Sequence, residues 1–465
     1  MSETHTMSKF QQAQLNALAE STQGWLDDLN STGREAFEQA PWPTRKTEAF
    51  KYCSLRTLTD DPRAATAPAT TASTDAIRTA ADIPHFDGYQ LVLVNGQVNN
   101  ELSDALALEQ VTLLSQASTE QQALAKEYLG KSLGKTVAGD LDPSHLFNQL
   151  NNASLQDAVL VEIKRNSRLD KPLQLCYLNT EADAGFTVNG RVLVVLETGA
   201  ELELVEHYAS LDGTNDNGIK NDNNGGDNSF TNAMTEVVVG DNAHLTHYRL
   251  QLMHNDAAHI GSVWVNLKRD ANYQAFHLAL GSQLTRNDIV VHHSVGGSHS
   301  DINGVYVPQG KQLVDFHTCI EHAAAHCTSN EIFRGIINDQ AKAVFNGRIH
   351  IHKDAQKTLA ELSNKNLLLT NKAEINTKPE LEIYADDVKC AHGATVAQLD
   401  DKARFYLQSR GISEDEAQVM LSFGFINELL DAMPDKAIGH WLRPILAKRF
   451  GREQSFDEDL VESVL

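Results

Sequence analysis

The sequence predicts a mainly β chain in which a long strand-rich body is bracketed by helical ends. Three observations carry this. From about residue 151 the apolar residues alternate with period two through the whole middle of the chain, as strands with one buried face require. Toward both termini they fall instead at helical spacing. A turn residue, an alanine and an alternating strand also recur at Gly199-Ala200, Asp241-Asn-Ala243, Asp270-Ala271, Asp339-Gln-Ala341 and Asp354-Ala355, the last four alanines falling at multiples of a single short interval. A short period favours a stacked solenoid, each rung burying its apolar face against the next. A β-sandwich is the other all-β architecture that the pattern allows.

Three regions follow. The first, 1–150, reads as a mostly helical domain. Leu15, Leu18, Trp25, Leu26 and Leu29 predict a helix over 10–29, and a second over 33–39 stops at Pro41-Trp-Pro43. Residues 60–81, rich in Ala, Thr and Pro, read as a linker. The run from Tyr89 to Val94 reads as a strand entering an Asn95-Gly96 turn, and a helical stretch continues through Leu150.

The second region, 151–394, is the β body, with strands expected at 159–163, 191–196, 200–208, 235–239, 244–252, 263–267 and 381–384. No long amphipathic helix interrupts them, which excludes an α/β alternation. Residues 211–228, dominated by Asn, Gly and Asp, read as a disordered inter-strand insertion. In the third region, 395–465, a helix over 400–410 is stopped by Gly411, which tolerates the left-handed C′ conformation. Ser413-Glu-Asp-Glu416 is a capping box opening the next helix, with Ala417, Leu421, Phe425 and Leu429 on its apolar face. Pro434 ends it, a basic amphipathic segment covers 437–450, and an acidic tail over 453–465 is expected to fray.

Composition narrows the function. The 465 residues carry 62 acidic and 39 basic side chains, net −23, with 41% apolar and 22% charged residues. A soluble globular protein fits; a nucleic-acid binder, which needs clustered Lys and Arg, does not. Neither a secretory signal nor an apolar run near the roughly 20 residues of a membrane span is visible, so a cytoplasmic protein is expected. Cys53, Cys176, Cys319, Cys327 and Cys390 include no CxxC pair, which excludes a disulfide framework and a zinc ribbon. Histidine is concentrated, with 13 of 19 between His244 and His352.

The richest chemistry lies in Asp386-Asp-Val-Lys-Cys-Ala-His-Gly393, read as a loop handing the last strand to the helices. It offers two carboxylates, a thiol and an imidazole, which are hard, soft and borderline metal ligands. Gly393 would permit an unusual backbone. A turn with a buried Cys390 thiol is the plainer reading. In the histidine band His244 and His247 should face opposite sides of a strand, as should His292 and His293, while His350 and His352 share a face. On a solenoid, histidines distant in sequence can stack in adjacent rungs and some subset could hold iron, copper or zinc. The motifs of common enzyme classes, such as G-x-S-x-G, H-E-x-x-H and a Walker loop, are missing. The apolar helix pair from Phe405 to Leu430 is either a self-contained cap or a docking helix for a partner groove.

These residues resemble the SufB/SufD family of iron-sulfur cluster assembly proteins. The resemblance spans most of the chain and is most specific at Leu381-Glu-Ile-Tyr-Ala-Asp-Asp-Val-Lys-Cys-Ala-His-Gly-Ala-Thr-Val396, at Phe405-Tyr-Leu-Gln-Ser-Arg-Gly-Ile412 and over 417–430. Pro43-Thr-Arg-Lys-Thr-Glu-Ala-Phe-Lys-Tyr52 is also similar, although the family more often has Trp in place of Phe50 and Thr in place of Cys53. Within the family the chain resembles the SufD branch: SufB would carry His-Glu at His392-Gly393 and an N-terminal cysteine cluster.

The resemblance implies a right-handed parallel β-helix between helical domains, acting as a non-enzymatic scaffold. It implies pairing with a SufB-like paralogue through the β-helix and docking of a SufC-like ABC ATPase through C-terminal helices, here Phe405, Tyr406, Arg410, Gly411, Ile412, Phe423 and Phe425. It places His392, with Cys390 as the weaker candidate, at an interface holding a transient iron-sulfur cluster or iron. Flavin is associated with the assembled complex, and no residue here is assigned to it. A homodimer stays open for the isolated chain. The alternatives are a β-helix polysaccharide lyase or hydrolase and a stand-alone histidine-rich metal-binding protein.

Overall fold

The computed structural model describes residues 7–19, 24–64, 67–70, 72–131, 143–180, 185–211 and 228–450. The expected insertion at 211–228 lies almost wholly outside the described residues, and the acidic tail at 453–465 lies entirely outside them. The chain runs α1 (Lys9–Ala17), α2 (Asp27–Gln39), α3 (Arg56–Thr59), α4 (Thr74–Ala81), β1 (Tyr89–Val94), β2 (Gln97–Val98), α5 (Ala105–Gln110), β3 (Thr112–Leu113), α6 (Thr119–Tyr128) and α7 (Leu146–Ala153). The body comprises β4 (Val159–Ile163), β5 (Leu173–Asn179), β6 (Phe186–Leu196), β7 (Glu201–Ser210), β8 (Ser229–Val239), β9 (His244–Leu252), β10 (Ala258–Leu267), β11 (Asn272–Ala279), β12 (Leu284–His293), β13 (His299–Tyr306), β14 (Leu313–His322), β15 (Thr328–Ile337), β16 (Lys342–Ile351), β17 (Leu359–Leu368), β18 (Glu374–Ile383) and β19 (Lys389–Gln398). Then come α8 (Asp401–Gln408), α9 (Glu414–Asp431) and α10 (Lys436–Phe450).

Successive body strands alternate between two sheets. The even-numbered strands from β4 to β18 pair in parallel in one, and the odd-numbered strands from β5 to β19 in the other. The result is a parallel β-solenoid of about seven turns. A sandwich, built from antiparallel sheets, is excluded. Leu284 lies opposite Leu313, and Leu313 opposite Lys342, so the interval from rung to rung is constant through this part of the body. Side chains alternate across each strand: Val314, Phe316 and Ile320 of β14 join the interior core, which leaves Asp315, Cys319 and Glu321 on the outer face.

The alanine repeat is a corner device. Ala200, Ala243, Ala271, Ala341 and Ala355 are all buried, and each donates its N–H to the carbonyl three positions earlier. The preceding Gly199, Asn242 and Asp270 have positive φ. The left-handed turn aims the next Cβ into a tight inner corner, where a methyl group fits.

The ends depart from expectation in four places. The helix expected over 10–29 is broken: α1 stops at Ala17, Leu18 is extended, and a 3₁₀ turn follows at Gly24–Leu26. The expected linker at 60–81 contains α4, capped by the Ser73 hydroxyl accepting from the Ala76 N–H and anchored by buried Ile77 and Ala81. The N-terminal region lends β1 to the solenoid, parallel to β5, after which the chain reverses through Asn95 and Gly96, both at positive φ. The boundary expected at 394–395 falls inside β19.

The Pro43–Tyr52 motif is a clamp. Phe50 is buried beneath the Arg286 guanidinium, 4.2 Å from its ring, and Arg286 donates to the Ala49 carbonyl at 2.7 Å. Helices α9 and α10 cover the outer face of the odd-numbered sheet, packing Phe423, Ile426, Leu442 and Phe450 on Tyr248, Phe276 and Val305. No helix among the described residues is long and apolar enough to cross a membrane.

Candidate functional site

The solenoid ends openly. Strands β18 and β19 stand last in their sheets, each with one edge unpaired among the described residues. Side chains that earlier rungs would bury are uncovered there. Ile383 follows buried Ile351 in register and is 42% exposed; Val396 follows buried Asn366 and is 50% exposed. Unpaired strand edges and uncovered core residues invite another chain to add to the sheet.

Cys390 and His392 sit at this end, on a strand and not on the loop expected from sequence. They lie two apart on β19, opposite Ala360 and Leu362, whose side chains belong to the interior core. Both therefore face the continuation of the solenoid interior. Cys390 is half-buried against that core, and burial raises its thiol above the ordinary value. That makes it a poor thiolate ligand in the isolated chain. His392 is exposed and free to meet a ligand from outside. Gly393 is in an ordinary extended conformation, so no unusual backbone explains it. Asp387 is committed to the turn, pairing with Lys357.

The histidine band divides as the alternation requires. His247 lies inside the solenoid, its Nε2–H donating to Glu206 at 2.9 Å, whereas His244 is exposed. Glu206 also accepts from Thr235 at 2.7 Å. Burial alone would raise its pKa, but Arg249 and His247 hold the carboxyl far below the carboxylate range. His350 and His352 do share a face, their rings 4.3 Å apart. Sequence reasoning missed the acidic partner between them, Glu321, one rung earlier; the constant rung interval was the signal that could have found it.

The expected docking residues separate into two groups. Phe405 and Tyr406 on α8 are 71% and 52% exposed, and the Arg410 guanidinium lies 4.1 Å from the Tyr406 ring centroid. Gly411 takes φ +89° just beyond the helix, and Ile412 returns its N–H to the Leu407 carbonyl at 3.3 Å. Phe423, in contrast, is buried edge-on against Phe450, 5.2 Å between centroids, and Phe425 packs on the same core. Phe423 holds the helices to the sheet and is closed to a partner.

Comparison with known proteins agrees with this architecture. A family model described as SUF system FeS cluster assembly, SufBD core domain, matches residues 177–425, and one described as SufBD protein N-terminal region matches 1–175. The iron-sulfur cluster assembly protein SufD of Escherichia coli strain K12 is 32% identical, over 85% of this chain and 86% of that protein. An iron-sulfur cluster assembly SufBD family protein of Synechocystis is 32% identical over 79% of each. SufD of Bacillus subtilis is 25% identical over 91% of this chain and 94% of its own.

Proposed function

The chain belongs to the SufBD family of iron-sulfur cluster assembly proteins, and from that premise we propose that it is a non-catalytic scaffold contributing one half of a cluster-assembly interface. The observation that carries the proposal is the open end of the solenoid, where Cys390 and His392 point along a core that stops without a cap. A SufB-like paralogue adding its own strand edges to β18 and β19 would cover Ile383 and Val396. It would also enclose His392 against the paralogue's ligands. A neutral imidazole is a borderline ligand suited to iron, and with five scattered thiols the chain is better equipped to share a cluster than to hold one.

The exposed pair Phe405 and Tyr406, with Arg410, forms the dock for a SufC-like ATPase. An aromatic pair with a stacked guanidinium is the composition favoured at interface centres. The cytoplasm is the setting of this reading. The direct test is His392→Ala in the complex co-expressed with its partners. Cluster formation, followed by visible absorbance and iron content, should fall several-fold while the complex still assembles. Cluster yield at the wild-type level would refute the role of His392.

A further inference from the structure

Two groups of three metal-ligand side chains occur among the described residues: His293, His322 and Cys327, and Glu321, His350 and His352. The first is buried within the solenoid, and three of its four ring nitrogens are already engaged by the hydroxyls of Ser298, Ser300 and Ser329. It is an internal hydrogen-bond ladder.

The second group is partly exposed where the first is buried, and its ring nitrogens meet a carboxylate, itself a metal ligand, in place of serine hydroxyls. It lies on the outer face of the even-numbered sheet, where His292, Glu321, His350 and Glu382 occupy one register position on four successive strands. Its members are reachable from solvent, His352 being 41% exposed at the side chain. Glu321 Oε1 lies 3.3 Å from His350 Nδ1, and Oε2 lies 2.9 Å from His352 Nε2. Ligands bound at roughly 2.1 Å stand roughly 3.0–3.4 Å apart in octahedral or tetrahedral coordination, and one ligand atom from each of the three side chains lies within 4.8 Å of the others, so an ion would draw them together and replace the Glu321 contacts. The supporting shell is present. Arg348 lies 3.5 Å from Glu321 Oε1 and is held by Glu382 through bonds of 2.9 and 3.0 Å. Such outer contacts fix a carboxylate ligand in place. The two carboxylates Glu321 and Glu382 outnumber the one guanidinium, Arg348, that they face, which favours a cation.

We propose that Glu321, His350 and His352 form a binding site for a divalent first-row transition metal, of which ferrous iron is the ligand-matched example. Two imidazoles and one carboxylate with open positions are the donor set that suits Fe(II). The site is separate from Cys390 and His392 and does not depend on the scaffold reading.

The test is anaerobic equilibrium dialysis of the full-length chain against an Fe(II) salt, with Co(II) absorption as a spectroscopic probe of the ligands. The wild type should hold one equivalent, and His392→Ala should hold it equally well. His352→Ala and Glu321→Gln should each weaken binding at least tenfold while keeping the wild-type thermal midpoint. Undiminished binding in both variants would overturn the proposal, as would a wild-type chain that takes up neither Fe(II) nor Co(II). A loss in His392→Ala as large as that in His352→Ala would overturn it too, by moving the site to the open end. Failure of cluster assembly in His392→Ala with Fe(II) binding intact separates this site from the scaffold role.

Discussion

Glu331 and Glu206 are carboxylates inside the same solenoid with opposite fates. Glu206 has His247, Thr235, Tyr208 and Arg249 around it and stays ionised. Glu331 is fully buried, neither of its oxygens has a hydrogen bond of good geometry, and burial raises its pKa to about 8, the Thr318 hydroxyl offsetting only part. At neutral pH it is therefore a neutral acid in the core. Because the folded value is raised, its contribution to stability is fully present below the unfolded value of 4.5 and is lost as pH rises toward about 8. The loss approaches about 1.4 kcal/mol per pH unit in that window. Glu331→Gln keeps the shape and cannot ionise. It should flatten the pH dependence of chemical denaturation between pH 5 and 8 and be the more stable protein at pH 8. Parallel curves for the two proteins would show that Glu331 does not titrate in the folded chain.

Among the elements, α8 and β19 are the two to which the proposed function assigns partners, and both are left uncovered. Phe405→Ala with Tyr406→Ala removes exposed surface only, so the thermal midpoint should hold while affinity for the SufC-like ATPase falls at least tenfold, as read by surface plasmon resonance. Unchanged affinity would return α8 to the role of a cap. Most body strands were legible as alternation, and the alanines do mark corners, but their common interval is not the rung: successive strands of one sheet start 26, 29 and 32 residues apart at Ala258–Leu284, Leu284–Leu313 and Lys342–Glu374. Cys390 and His392, expected on a loop, lie on a strand. Their strand exists only because it pairs with β17 one rung earlier, a contact that local pattern does not register. The broken helix at the N-terminus failed for a similar reason: Leu18 sits at helical spacing, yet the chain turns there to pack Phe10 against Trp42 and Phe230.

At the scale of the molecule, a solenoid must end somewhere, and this one finishes its two ends differently. The N-terminal end is closed by the antiparallel strands β2 and β3. The C-terminal end stops, among the described residues, on the bare edges of β18 and β19. Membership of the SufBD family displaces the polysaccharide-lyase alternative, and the proposed function uses the open end as the surface on which a partner adds. That claim is tested by the association of the chain with a SufB-like paralogue when Val396→Lys places a charge where the next rung must pack. Measured by analytical ultracentrifugation of the co-expressed chains, the variant should remain folded and dissociate at a concentration at least tenfold above the wild type. A Val396→Lys chain that pairs as tightly as the wild type would contradict pairing through the open end.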